Sequence, residues 1–249
     1  MKNKQWIVAA VAALALASCN KNKSESTTTT TEKVTITQAN PPPGGTWADV
    51  VNETSDGYMM GNPNAKVKLV EIGSLGCPVC KKFDDEGVPH VIDLVKTGKL
   101  SWEFRPYLIH GPIDMAADLI ARCNGPKTFF PLALAMYKDQ PVWMGKVEAT
   151  PQAQLEQMQN LPTNQVFVAF AKLAGLQDWA AARGVPQGKS NQCLTDQKMI
   201  DKEVQVSANV NSQYPDFKGT PSFVLNGSLL PDTSSWAKLE PQLKAAVGS

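Results

Sequence analysis

The chain is 249 residues long and sets 24 basic side chains against 23 acidic ones, so its net charge of +1 gives no electrostatic footprint for nucleic acid or for acidic substrates. At 43% hydrophobic and 19% charged it has the balance of an ordinary globular protein with room for one sizeable core. Five cysteines, an odd number, sit beside only two histidines, His90 and His110, too few for a four-ligand zinc site at the usual spacings.

In chain order, Lys2 and Lys4 precede an apolar run from Trp6 to Leu16 that closes in Leu16-Ala17-Ser18-Cys19. A basic start, a short apolar stretch and small residues read as a signal peptide over residues 1–18, the run being too short for a comfortable transmembrane span. The tetrapeptide resembles the lipobox of bacterial lipoproteins, which implies that Cys19 becomes the first mature residue and carries lipid. By the same analogy Asn20, standing where Asp marks inner-membrane retention, favours the outer membrane. A plain secretory peptide with an incidental Cys is the alternative. Residues 19–46 are polar and repetitive, with Thr27 to Thr31 in a row and Pro41-Pro42-Pro43-Gly44-Gly45 near the end. Such a segment buries almost nothing and reads as a tether to a folded domain over residues 47–249.

Within that domain, Gly61-Asn62-Pro63-Asn64 is a turn signal leading into an apolar strand from Val67 to Ile72. The strand runs into Cys77-Pro78-Val79-Cys80 and then a helical pattern, interrupted at Gly87 and Pro89 and resumed from His90 to Lys96, as a kinked or two-part helix. Placed at a helix start, Cys77 meets unpaired backbone amides and the positive end of the helix dipole, which favour thiolate over thiol. Cys80 comes round one turn later, within reach of a reducible disulfide, and Pro78 suits a first helical turn. Half a zinc site or two inert core cysteines are the bland alternatives.

A second strand is expected from Leu100 to Leu108. Helical patterns follow at Met115–Cys123, Phe129–Lys138, Gln152–Gln159, Val166–Arg183 and Asn191–Asn211, with loops at Pro141, Pro151, Pro162 and Pro186. Strands return at Ser222–Leu225 and Ser228–Leu230 around Asn226-Gly227, the pair that a two-residue hairpin turn prefers. A last amphipathic helix spans Ser235–Val247, bent or started late at Pro241.

The order strand, CxxC helix, strand, helical segment (about 112–214), Gly219-Thr220-Pro221, hairpin and helix resembles the DsbA family of thiol-disulfide oxidoreductases from about Gly57 onward. Its most specific parts are Gly61-Asn62-Pro63 through Cys80 and Gly219-Thr220-Pro221-Ser222-Phe223. The resemblance implies an α/β fold, a thioredoxin fold with an inserted helical domain that serves as a lid, a substrate wall or mere filling. It implies that Pro221 is cis and lies against the CxxC, with Thr220 offering backbone groups to an extended substrate. It also implies that Glu71 is a buried acid below the active site, with a raised pKa suited to moving a proton to or from Cys80. Val79 departs from the strongly oxidising members, which carry His in its place. A Val can neither donate a hydrogen bond nor bring charge to Cys77, so the reduced form should be less favoured.

Cys123 and Cys193 both fall in the helical segment, and an even pair in an exported chain favours a structural disulfide over two buried thiols. Closing a loop of that length is worth about 4 kcal/mol in the chain-entropy model. The expected protein is thus an enzyme without cofactor or metal. It would be periplasmic, lipid-anchored and monomeric, oxidising thiol-containing exported proteins through Cys77 and Cys80 and recharged by a membrane redox partner. A reductase or isomerase of the same fold is the nearest alternative, and a non-enzymatic membrane-tied chaperone or adaptor the more distant one.

Overall fold

The computed structural model describes residues 39–248, so the leader, Cys19 and the polar stretch up to residue 38 lie outside it. Contacts with the globular part begin ahead of the expected boundary at Trp47. The Ala39 N–H donates to the Thr97 carbonyl at 3.3 Å, and the Trp47 indole donates to the Ala39 carbonyl at 3.0 Å. The last residues of the expected tether are therefore part of the domain, because the half-buried Trp47 folds back on them.

Six strands form one sheet: β1 (Val51–Glu53), β2 (Tyr58–Gly61), β3 (Val67–Gly73), β4 (Leu100–Pro106), β5 (Ser222–Leu225) and β6 (Ser228–Leu229), in the order β1-β2-β4-β3-β5-β6. The pair β3 and β4 is parallel and every other pair antiparallel. Parallel neighbours need a crossover, supplied here by α1 (Pro78–Glu86) and α2 (Val88–Lys96). They are two helices rather than one, because Pro89, in the first turn of α2, has no N–H to continue the ladder of α1; Gly87 at the junction lies between the Phe83 and Trp236 rings, where a side chain would not fit.

The central strand β3 shows why the sheet is covered on both faces. Val67, Leu69 and Glu71 point to one side, into the main core, and Val70 and Ile72 to the other. On the second side Ile72 and Val224 pack against Val210 of α10 (Gln197–Gln213). On the first side α1, α4 (Pro126–Lys138) and α11 (Trp236–Val247) cover the sheet. Phe83 of α1 lies 4.6 Å from Phe223 of β5, and from α4 Phe129 stacks on Tyr58 at 4.3 Å while Phe130 meets Trp102 at 4.8 Å, centroid to centroid.

The remaining helices are α3 (Pro112–Ala121), α5 (Gln140–Glu148), α6 (Gln152–Gln159), α7 (Thr163–Ala174), α8 (Leu176–Ala181) and α9 (Gln187–Leu194). They share the main core rather than forming one of their own. Every residue of α3 from Ile113 to Ala121 is buried, its alanines Ala116, Ala117 and Ala121 letting neighbouring helices approach. Two expected helices are corrected, and the last helix, expected to be bent or started late at Pro241, is found without the late start. The helix drawn from Val166 to Arg183 breaks at Gly175, whose φ of +74° suits glycine. The one drawn from Asn191 to Asn211 breaks before Asp196, whose side chain caps α10 by accepting from the Lys198 and Met199 N–H groups. Pro241 lies inside α11, which starts at Trp236. Strands β1 and β2 and helix α5 had no counterpart in the sequence reading.

Candidate active site

At Gly73 strand β3 leaves the sheet, and a short loop carries the chain to the first turn of α1. Cys77 is the N-cap of that helix: its backbone is extended, with φ −76° and ψ 121°, and its Sγ accepts from the Cys80 N–H at 3.4 Å. Pro78 occupies the first helical turn, where a missing N–H costs nothing. Both cysteines are free thiols, Cys77 with 5% of its surface exposed and Cys80 with none.

The two sulfurs are pushed in opposite directions. Hydrogen bonding from the Cys80 thiol is the largest influence on Cys77. With help from the Thr220 side chain and the Cys80 and Val79 backbone it outweighs burial, and the pKa falls to about 5. Burial, followed by the neighbouring Cys77 and Glu71, pushes Cys80 well above the usual thiol range. The Thr220–Pro221 bond is cis, and the Thr220 carbonyl accepts from the Cys77 thiol at 3.4 Å. The Thr220 hydroxyl has no protein partner in hydrogen-bond geometry; a thiolate at Cys77 would offer it one. Val79 is 47% exposed and brings no charge to the pair.

Behind Cys80 stand two carboxyl groups. The period of β3 points Glu71 inward beneath α1, where burial, reinforced by Asp84, raises its pKa well above the carboxylate range. The Trp102 indole opposes that shift, yet Glu71 Oε2 and Trp102 Nε1 both lack a partner in hydrogen-bond geometry. A neutral carboxyl is the species such a site tolerates. Asp84, on α1, is raised to about 7 by burial and then by Asp85. It also lines a surface groove with Val88 and Ile92. The sequence reading passed over Asp84, although one turn beyond Cys80 on the same helix it shares that residue's inward side.

The loop before Cys77 is held from the inserted helices. Asp114 of α3 accepts from the Gly76 N–H at 2.9 Å and from the Ser74 hydroxyl at 2.8 Å. A side chain at Gly76 would meet Asp114 Oδ1 at 2.7 Å, so the carboxylate reaches this backbone only because the residue is glycine. The Tyr137 hydroxyl donates to the Ser74 carbonyl at 3.1 Å, and Gln140 Nε2 donates to the Leu75 and Cys77 carbonyls at 2.7 and 3.0 Å. None of these three was foreseen: each lies far along the chain from the loop it grips, and no local pattern carries that pairing.

Cys123 and Cys193 form a disulfide across 70 residues, joining the end of α3 to α9. Beside it the buried Arg122 bridges Asp118 at 2.7 Å and Glu203 at 2.9 Å and lies over the Tyr58 ring. The disulfide is no part of the Cys77 site. Among the described residues no group of three His, Cys, Asp or Glu side chains could hold a metal ion.

A thioredoxin family model matches residues 53–245. The chain belongs to the thioredoxin family. Within it, the solved protein-disulfide isomerase from Novosphingobium aromaticivorans is 34% identical, with a TM-score of 0.74 over 79% of this chain and 100% of that one. Wolbachia pipientis alpha-DsbA1, at 19% identity and a TM-score of 0.62 over 80% of this chain and 94% of that one, shares the fold. The family member described here thus has the DsbA-like form of the thioredoxin fold, an α/β sheet with a helical insertion. A curated Rickettsia bellii relative, provisionally named a protein-disulfide oxidoreductase, is 26% identical over 68% of this chain and 56% of its own length. The chain therefore spans about half the length of the curated relatives it matches.

Proposed function

We propose that the chain is a protein thiol-disulfide oxidoreductase that passes a Cys77–Cys80 disulfide to thiol-containing exported proteins. The observation that carries this is the asymmetry of the pair: Cys77 Sγ caps the start of α1 and accepts from the Cys80 N–H, which favours its thiolate, whereas Cys80 is fully buried, which favours its thiol. In the oxidising direction a substrate thiolate attacks Cys77 Sγ, the Cys77–Cys80 bond breaks, and Cys80 leaves as a thiolate that takes the proton of the neutral Glu71. A second substrate thiolate then attacks the substrate sulfur of the mixed disulfide and expels the Cys77 thiolate. Two electrons have passed from two substrate thiols to the enzyme, and a membrane redox partner removes them. Thr220, beside cis-Pro221, offers main-chain groups to the substrate segment.

The same steps in reverse make a reductase, and the name of the Novosphingobium relative favours an isomerase as the second reading. Exchange of a fluorescent peptide disulfide tests the chemistry: Cys77→Ser should bring it to background without changing the melting temperature, and surviving exchange would refute the assignment. The reduction potential against glutathione then separates oxidant from reductant.

The leader and Cys19 belong to the same proposal: export, cleavage before Cys19 and a lipid anchor, with the polar segment as tether and a monomeric domain at its end. Among the described residues no helix is long and apolar enough to cross a membrane. Mass spectrometry of the mature amino terminus tests this, and an unmodified residue other than Cys19 there would refute it.

A further inference from the structure

Val79 leaves the dipeptide between the cysteines without a cation, and the nearest imidazole comes from elsewhere. His110 lies in the turn before α3. Its Nδ1 is 3.2 Å from Asp114 Oδ2 and 3.2 Å from the Ser74 hydroxyl, and its backbone N–H donates to Asp114 Oδ2 at 2.8 Å. The Asp114 carboxylate that orients the ring is the one that accepts from the Gly76 N–H, immediately before Cys77. A side chain at Gly76 would come within 3.3 Å of His110 Nδ1, which brings the ring to the edge of the nucleophile's own loop. The ring is one-third exposed, so it can exchange protons with water, while Asp114 is buried.

We propose that His110, aimed by Asp114 and Ser74, is the positioning residue that supplies the positive charge beside the Cys77 thiolate, in place of a histidine inside the CxxC. This rests on the oxidoreductase reading above and adds a determinant of its redox poise. With Nδ1 turned to the Asp114 carboxylate, Nε2 is the nitrogen left to titrate. The charged and titrating groups that face the ring are Asp114 from α3, Cys77 from the start of α1 and Glu148 from the end of α5, all of which favour the imidazolium. Hydrogen bonding to Asp114 is the largest of these influences and outweighs burial, raising the pKa above the ordinary imidazole value. A cation there stabilises the reduced form, in which Cys77 is a thiolate, and leaves the disulfide form untouched, so the disulfide becomes the stronger oxidant.

The test is the equilibrium of the folded domain with glutathione at pH 6 and pH 9, together with the pH profile of Cys77 alkylation by iodoacetamide. At pH 6, His110→Ala should make the disulfide about tenfold harder to reduce, or roughly 30 mV. It should also move the alkylation midpoint up by about one pH unit. His110→Lys should restore both. At pH 9 the wild type and the alanine variant should converge, since the imidazole is then neutral in the wild type. Equal potentials at pH 6 would overturn the proposal, and so would a difference that persists unchanged at pH 9, which is the mark of a packing defect. The alkylation midpoint reads the charge even if peptide exchange fails. Loss of the oxidoreductase reading and loss of this inference are thereby told apart.

Discussion

Two cysteine pairs sit near the two ends of α3 and could hardly differ more. At its start, Asp114 holds the loop of Cys77 and Cys80, which are one helical turn apart. Just beyond its end, Cys123 is joined to Cys193 across 70 residues. The first pair is surrounded by groups that titrate, Glu71, Asp84 and His110, and its two thiols have opposed acidities. The second lies beside Arg122, whose charge is already taken up by Asp118 and Glu203. The contrast teaches that a cysteine pair acquires chemistry from asymmetry between its sulfurs and from a proton carrier at hand. Closing a long loop gives stability instead.

The sharpest way to break this contrast is to remove the second sulfur of each pair. Offered the peptide disulfide, Cys80→Ala should stop turnover and accumulate a Cys77 mixed disulfide, visible on non-reducing gels, because the Cys77 thiolate attacks one peptide sulfur, expels the other as a thiolate, and no Cys80 remains to resolve the adduct. Cys193→Ala should leave turnover intact, and adducts forming equally in both variants would erase the distinction. Next in size, the double variant Cys123→Ala/Cys193→Ala should lose about 4 kcal/mol of unfolding free energy in urea. Its Cys77 alkylation midpoint should stay near pH 5, as in the wild type, since neither Cys123 nor Cys193 touches that thiol.

A smaller effect is expected of Glu71→Gln, which keeps the shape and removes the proton. Exchange at pH 7 should slow by about 100-fold, as for loss of a general acid, with the slow step at Cys80 departure in stopped-flow traces. Smallest is Asp84→Asn. A carboxyl raised in the folded state binds its proton more tightly there than in the unfolded chain, so folding loses stability as pH rises from about 4 to about 7. The variant should therefore melt higher than the wild type at pH 8 and no higher at pH 4. A gain that is the same at both pH values would rule out burial of the charge as its cause.

What could be read in the sequence was whatever is local. Strand β3 announces itself by Val67, Leu69, Val70 and Ile72, the CxxC by its spacing, and the last hairpin by Asn226-Gly227, whose φ values of +49° and +88° are those its turn needs. The edge strand β1 is three residues long and mostly exposed, and β2 is a short run ended by Gly61, so neither carries a pattern long enough to recognise. Helix α5 was hidden because Pro141 reads as a breaker, whereas in a first turn it is no obstacle. Within the site, Cys77, Cys80 and Glu71 share one stretch of chain and could be named together. Asp114, Tyr137 and Gln140 act across 38 to 65 residues, and only the folded packing of α3, α4 and α5 brings them to the loop.

Those three distant side chains make the helical insertion inseparable from the half of the domain that carries Cys77 and Cys80. Trimming the protein to a minimal sheet with α1, α2 and α11 would strip the bend at residues 74–77 of every anchor that Asp114, Tyr137 and Gln140 provide. The freed carbonyls and the Gly76 amide would return to water, and the start of α1 would no longer have a fixed direction. Engineering a smaller CxxC domain from this scaffold would therefore mean rebuilding the bend first, and only then choosing which helices to delete.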